Sequence, residues 1–184
     1  MEINKIKDNK GITMIALVIT MIIIIILANI SVNEGTKALK MTELENIRTN
    51  MLLIQTKAKE YVETANFKLG KTIDSLSGDE KNNRIESAKE NLKGSEVIDG
   101  SMFSGNIGIT TEQIENDNKN YVYYYRILAE NLEEMGLKDI KSDKKNGWFI
   151  IKYDIKNSTT EIYNTKGLRK DYQIYYALSE IKNL

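Results

Sequence analysis

Lys10-Gly11-Ile12-Thr13-Met14-Ile15-Ala16-Leu17-Val18, with the unbroken aliphatic block Ile22–Leu27 behind it, is the stretch on which the reading of this 184-residue chain turns. No charged residue lies between Gly11 and Asn33. About 20 apolar residues in a helix rising 1.5 Å each match roughly 30 Å of hydrocarbon. A single segment cannot close a barrel, and only a helix otherwise satisfies its own backbone in lipid. Residues 12–33 are therefore expected to form a membrane-spanning helix, the alternative being the buried core helix of a soluble protein. A cleaved secretory signal fits poorly: the run exceeds the usual ~7–15-residue apolar region, no clear Ala-x-Ala site follows, and an amphipathic pattern continues out of it. Lys5, Lys7 and Lys10 precede the span, partly offset by Glu2 and Asp8. By the positive-inside rule they place the N-terminus in the cytoplasm and residues 34–184 outside, with Lys37 and Lys40 weighing the other way.

The polar leader ending in Lys10-Gly11, followed by Ile12-Thr13-Met14-Ile15-Ala16-Leu17-Val18, resembles the class III leader of type IV pilins and type II secretion pseudopilins. The resemblance implies that a prepilin peptidase cuts between Gly11 and Ile12 and that Ile12 becomes the methylated N-terminus. It implies a ladle-shaped α+β fold and assembly through the apolar helix, here Ile15, Ala16, Val18, Ile22 and Ile26. The family usually carries glutamate at the fifth mature position, which in this chain is Ala16. Tip-located minor pseudopilins are similar in lacking it, as are many pilin-like proteins of Gram-positive anaerobes. The far end, Tyr163-Asn164-Thr165-Lys166-Gly167 and Tyr175-Tyr176-Ala177-Leu178, looks loosely like the close of pilin-like domains from low-GC Gram-positive bacteria.

About 150 residues beyond the span can hold one modest core. Lys+Arg and Asp+Glu are both 26, so net charge gives no reason to expect nucleic acid. Cysteine is absent, which excludes disulfides and thiolate metal sites, and histidine is absent, which removes the usual titrating group near neutrality. No proline is present to kink the first helix.

The chain divides into a leader (1–11) too short to fold, an apolar helix (12–33), its amphipathic continuation (34–69), a loop-rich variable region (70–118) and a small sheet region (119–184). Leu44, Ile47, Met51, Ile54, Ala58, Tyr61 and Ala65 recur in steps of three and four, opposite Glu43, Glu45, Arg48, Lys57, Lys59, Glu60 and Glu63. This predicts one helix from Ile12 to about Leu69, roughly 85 Å long if unbroken, with Gly35 a place where it could fray or end. The stripe fits a coiled coil or the side of a helix packed on a small antiparallel sheet, and the sheet is preferred because residues 119–184 need a surface to pack on. In the glycine-rich region a short helix is expected over 79–92, with Ile85, Ala88 and Leu92 on one side. Tyr121–Ile127 reads as a strand, although its tyrosines would also line up on a helix, and Ala129–Met135 as a short helix stopped at Gly136-Leu137. Trp148–Ile155 is the clearest strand, with a turn at 156–159, a return over 160–165 closed by Lys166-Gly167, and a last segment at 172–176 that is a third strand or the start of a terminal helix through Ile181.

No catalytic constellation emerges. Without His or Cys, a nucleophile–base pair would have to be Ser–Lys, Tyr–Lys or two carboxylates, and no charged pair is isolated among apolar residues. An enzyme is not expected, nor a cofactor or metal. Glu115, Asp117, Asn118 and Asn120 group oxygens suited to calcium but lack the glycine and distal glutamate of an EF-hand, so a plain polar loop is expected. Tyr121–Tyr125 could stack on bases or sugar, but with no basic stripe beside it a half-buried sheet face is preferred. Asn157-Ser158-Thr159 matches a glycosylation acceptor and serves a turn equally well. The expected function is a structural filament subunit, minor or tip-type because of Ala16. Its partners would be other pilin subunits, prepilin peptidase and, before assembly, membrane lipid; its location would be the cell membrane and then a surface filament. The alternative is an uncleaved single-pass anchor presenting an extracellular binding module.

Overall fold

The computed structural model describes the backbone of residues 9–103, 105–170 and 172–182, and the side chains of these residues outside 9–16 and 26–40. One helix, α1 (Asn9–Leu69), takes up a third of the chain and runs through Gly35 without a break. The chain falls into two compact units, residues 1–43 and 44–184. In its described part the first unit is α1 alone.

The second unit holds the rest of α1, then α2 (Gly78–Lys89), β1 (Ser95–Glu96), α3 (Thr111–Asn118), β2 (Val122–Ile127), α4 (Ala129–Glu134), β3 (Phe149–Asp154), β4 (Thr159–Lys170), β5 (Gln173–Ala177) and α5 (Leu178–Ile181), with single 3-10 turns at Ile73–Ser75 and Gly100–Met102. The five strands form one antiparallel sheet in sequence order. The architecture is α+β, a long helix with a five-stranded antiparallel sheet.

The stripe on α1 finds its partner in the sheet. Met51, Ile54, Ala58, Val62, Ala65 and Leu69 are buried in one cluster with Tyr123, Tyr125 and Ile127 of β2, Phe149, Ile151 and Tyr153 of β3, and Ile162 of β4. Alternation along the strands sends the intervening residues to the other face. There Tyr124, Ile150 and Tyr163 meet Val97, Phe103, Ile109 and Ile114, which arrive from the segment between α2 and β2. Phe103 stands edge-on to both Tyr124 and Tyr163, with ring centroids 5.6 and 6.2 Å away. The sheet is covered on both faces.

Local chemistry sets the ends of these elements. α4 stops where Gly136 takes a φ of 74°, Gly136 N–H donates to Glu133 O and Leu137 N–H to Leu132 O, satisfying the last carbonyls. Asp154 accepts from Asn157 N–H and Nδ2 at 2.9 and 2.8 Å and shapes the β3–β4 turn.

Several expectations need correction. α1 begins at Asn9, two residues ahead of Gly11, so the Gly11–Ile12 bond lies within helical backbone, and the rest of the leader lies outside the described residues. The single helix expected through Gly35 is what the structure shows, because the glycine's cost of about 1 kcal/mol is small within a cooperative run. The region 70–118 carries α3 and β1 besides α2, which ends at Lys89 with Leu92 buried just beyond. The sheet therefore recruits a strand from outside 119–184. Lys166-Gly167 does not close β4: Gly167, at φ 68°, sits at an irregularity in the pairing, and the strand continues to Lys170. Residues 173–177 are a strand, and a short helix follows it.

Candidate functional site

The candidate site is the surface of α1 from Leu17 to Ile25. Eight of its nine side chains are large and apolar, and each is about half or more exposed, from 48% at Ile23 to 64% at Ile24. The ninth, Thr20, donates its hydroxyl to Leu17 O at 2.8 Å, so its polar group is satisfied by its own helix. The surface is apolar on every side, and among the described residues of its own unit nothing covers it. Among the described residues, no helix is long and apolar enough to cross a membrane.

Of the residues expected to assemble, Val18 and Ile22 are 52% and 51% exposed. The side chains of Ile15, Ala16 and Ile26, and those of Lys10 and Ile12 beside the expected cut, lie outside the described residues, as do Lys5 and Lys7 entirely. Of the stripe, Met51, Ile54 and Ala58 are fully buried, and Leu44, Ile47 and Tyr61 are half-buried against the same core. Val62 and Leu69 join it; both follow from the same step of three and four.

Of the oxygens singled out for calcium, the carboxylate of Asp117 is engaged otherwise. Glu115, Asp117 and Asn118 belong to α3, whose start is capped by Thr110 Oγ1 accepting from Gln113 N–H at 3.2 Å. Thr110-x-x-Gln113 is the signature that could have revealed this helix. Asp117 Oδ2 accepts from Tyr124 Oη at 2.6 Å and from Lys152 Nζ at 3.0 Å, while Lys152 stands 5.3 Å over the Tyr124 ring. Burial, joined by the bond to Asp117, pushes the Tyr124 hydroxyl far above its usual range. Asn120 donates to Asn116 O. Among the described residues no group of His, Cys, Asp or Glu could hold a metal.

A second cluster ties the 3-10 turn at Ile73–Ser75 to residues flanking β2 and β3. Asp74 accepts from Lys156 Nζ at 2.7 Å and Tyr121 Oη at 2.9 Å, and these bonds, that of Lys156 foremost, hold its carboxyl below the usual range. Tyr121–Tyr125 are all buried, so their rings are core, not a platform for bases or sugar. The buried polar side chains are likewise satisfied. Ser142 Oγ donates to Ile127 O and accepts from Phe149 N–H, and Asn164 Oδ1 accepts from Lys166 and Gly167 N–H. An open cleft of about 300 Å³ between Gly100, Phe103 and Thr111 has no charged side chain in its lining. Comparison with family models, with curated proteins and with solved structures finds no match.

Proposed function

We propose that this chain is a structural subunit of a type IV pilus or pseudopilus-like filament, of minor or tip type because Ala16 stands where the family usually has glutamate. The observation that carries the reading is the uncovered surface of Leu17–Ile25, apolar all round and without an unsatisfied polar group. A helix apolar on every side is stable only when surrounded, and lipid before assembly and neighbouring subunits after it supply that surrounding. The apolar helix of residues 12–33 is the membrane anchor and then the filament core, and residues 34–184 lie outside. Prepilin peptidase cuts after Gly11 and leaves Ile12 as the methylated N-terminus. No catalytic role is assigned.

Intact and N-terminal peptide mass on protein from membranes and sheared surface material tests this. A chain starting at methylated Ile12 is expected. A chain still starting at Met1, in cells whose peptidase processes other substrates, overturns it. One observation favours the alternative of an uncleaved anchor bearing a binding module: α1 begins at Asn9 and places the Gly11–Ile12 bond inside helix. Under that reading Gly11→Ala changes nothing, whereas in a prepilin it blocks maturation.

A further inference from the structure

Arg126, in β2, shares the second face of the sheet with Tyr124 and lies at the rim of the cluster around Phe103, where Met102 packs. It is half-buried. Its guanidinium stands 5.1 Å from the centre of the Trp148 ring, and Nη1 donates to Met102 Sδ at 3.7 Å. Its side chain makes no other hydrogen bond and no ion pair among the described residues. Arginine stays charged throughout the range in which proteins fold, and a cation taken partly out of water is ordinarily paired. An aromatic face and a thioether hold the guanidinium in place without neutralising it.

The carboxylates on the adjoining segments are committed elsewhere. Asp99 accepts from Ser101 N–H at 2.7 Å, and Glu96 takes Lys89 at 2.9 Å. Asp143 accepts from Lys145 and Asn146 N–H, both at 2.8 Å, and from Asn146 Nδ2. These bonds hold its carboxyl below the usual range, those from Asn146 foremost. They close a tight hairpin, bridged between Asp143 and Gly147, that leads straight into Trp148. At its tip Lys144 and Lys145 are exposed, and neither is ion-paired among the described residues. Residues 138–145 carry four lysines against two aspartates, so the surroundings of Arg126 add positive charge instead of cancelling it.

We propose that Arg126 and the Lys144–Lys145 hairpin form a docking surface for an acidic protein segment, one carboxylate lying in the Arg126 fork and its neighbours reaching the two lysines. Stacking on Trp148 fixes the plane of the guanidinium, which suits bidentate recognition of a carboxylate. Arginine, tryptophan and methionine are the residue types enriched at the centre of protein interfaces, with charged residues at the rim. The Trp148 ring is turned to the guanidinium and not to a sugar, and a patch this short on a chain of zero net charge does not track a nucleic-acid backbone. Every group belongs to residues 44–184, so the surface is the same whether or not the leader is cut.

Trp148 is the chain's one tryptophan, and its emission therefore reports on the site directly. Titration of the full-length protein in detergent with hexaglutamate at low salt is expected to change that emission saturably, and salt at about 0.5 M to suppress the change. Hexaglutamine is expected to have no effect. Arg126→Ala is expected to weaken binding at least about tenfold, and Arg126→Lys to recover part of it, because charge returns without the planar fork. Lys144→Glu and Lys145→Glu, on an exposed tip, are expected to cost about two- to fivefold each. Circular dichroism establishes that each variant is folded; should Arg126→Ala fail to fold, the two lysine variants decide. The absence of a saturable response to hexaglutamate, or unchanged affinity in these variants, overturns the site. Tighter binding of oligogalacturonate, polyphosphate or oligothymidylate than of hexaglutamate overturns its assignment to an acidic peptide. The mass of the N-terminus, read on the same protein, reports separately on the filament reading.

Discussion

Leu17–Ile25 and Met51–Leu69 belong to one helix and are both rich in aliphatic residues, yet the first leaves its side chains about half exposed and the second buries six of them to 2% or less. The difference lies in pattern, not in hydrophobicity. Met51, Ile54, Ala58, Val62, Ala65 and Leu69 make a single stripe, which one sheet face can cover, and Lys57, Glu60 and Glu63 keep the other side in water. Leu17–Ile25 has no polar side, so no single surface can cover it. One half of the helix is completed within its own unit, and the other is left uncovered among the described residues of its unit.

Substitutions in the two halves break or sharpen that contrast. Ile54→Ala is expected to destabilise the second unit by about 2–5 kcal/mol in denaturant unfolding, because it opens a cavity in a fully buried cluster. Ile23→Ala is expected to move the same transition by less than about 0.5 kcal/mol while weakening retention in membrane or filament fractions. Equal losses from the two would erase the distinction. Tyr124→Phe, on the far face of the sheet, is expected to cost about 1–2 kcal/mol by removing the bond to Asp117, which keeps Lys152.

Alkali separates the regions differently. Burial pushes Tyr123 and Tyr163 up to about 12, against about 10 in an unfolded chain. The neutral hydroxyl is the form the fold prefers, so this contribution is complete below about pH 10 and is lost as pH rises toward 12. Tyrosinate absorbance is expected to rise together with loss of the sheet, whereas Leu17–Ile25 has nothing to titrate and its partition into membrane should not follow. The smallest effect is expected from Lys156→Ala. Its pair with Asp74 is exposed by more than half on both sides and screened by solvent, and the unfolding midpoint should scarcely move.

The sequence was most legible where a period was sustained. The step of three and four from Leu44 to Ala65 announces the buried side of α1, the alternation Phe149, Ile151, Tyr153 announces β3, and Gly136-Leu137 announces the end of α4. The cover of the second sheet face was not legible. Val97, Phe103, Ile109 and Ile114 are spread over a glycine-rich stretch without period, and only the tertiary contact with Tyr124, Ile150 and Tyr163 gives them a common purpose. β1 is two residues long and owes its existence to β2, so no local pattern could mark it. At the candidate site the apolar run was plain from composition. The helical backbone ahead of Gly11 was not, because a polar leader carries no helix signal of its own.

Asn66 at the end of α1 donates to Ile155 O at 2.7 Å and Lys156 O at 3.0 Å, Gln55 donates to Thr160 O at 3.1 Å, and Arg48 donates to Lys182 O at 3.2 Å. These ties sit at intervals along the buried stripe and anchor the helix to both ends of β4's neighbourhood. A pull along α1 therefore loads them and the apolar stripe side by side, as shear, where a pull across the helix would open them one after another. In a pulling experiment the second unit should resist tension through its N-terminal helix far better than tension applied across the β4–β5 hairpin, which would peel strand by strand. In the second unit, mechanical strength is thus concentrated along the axis of α1.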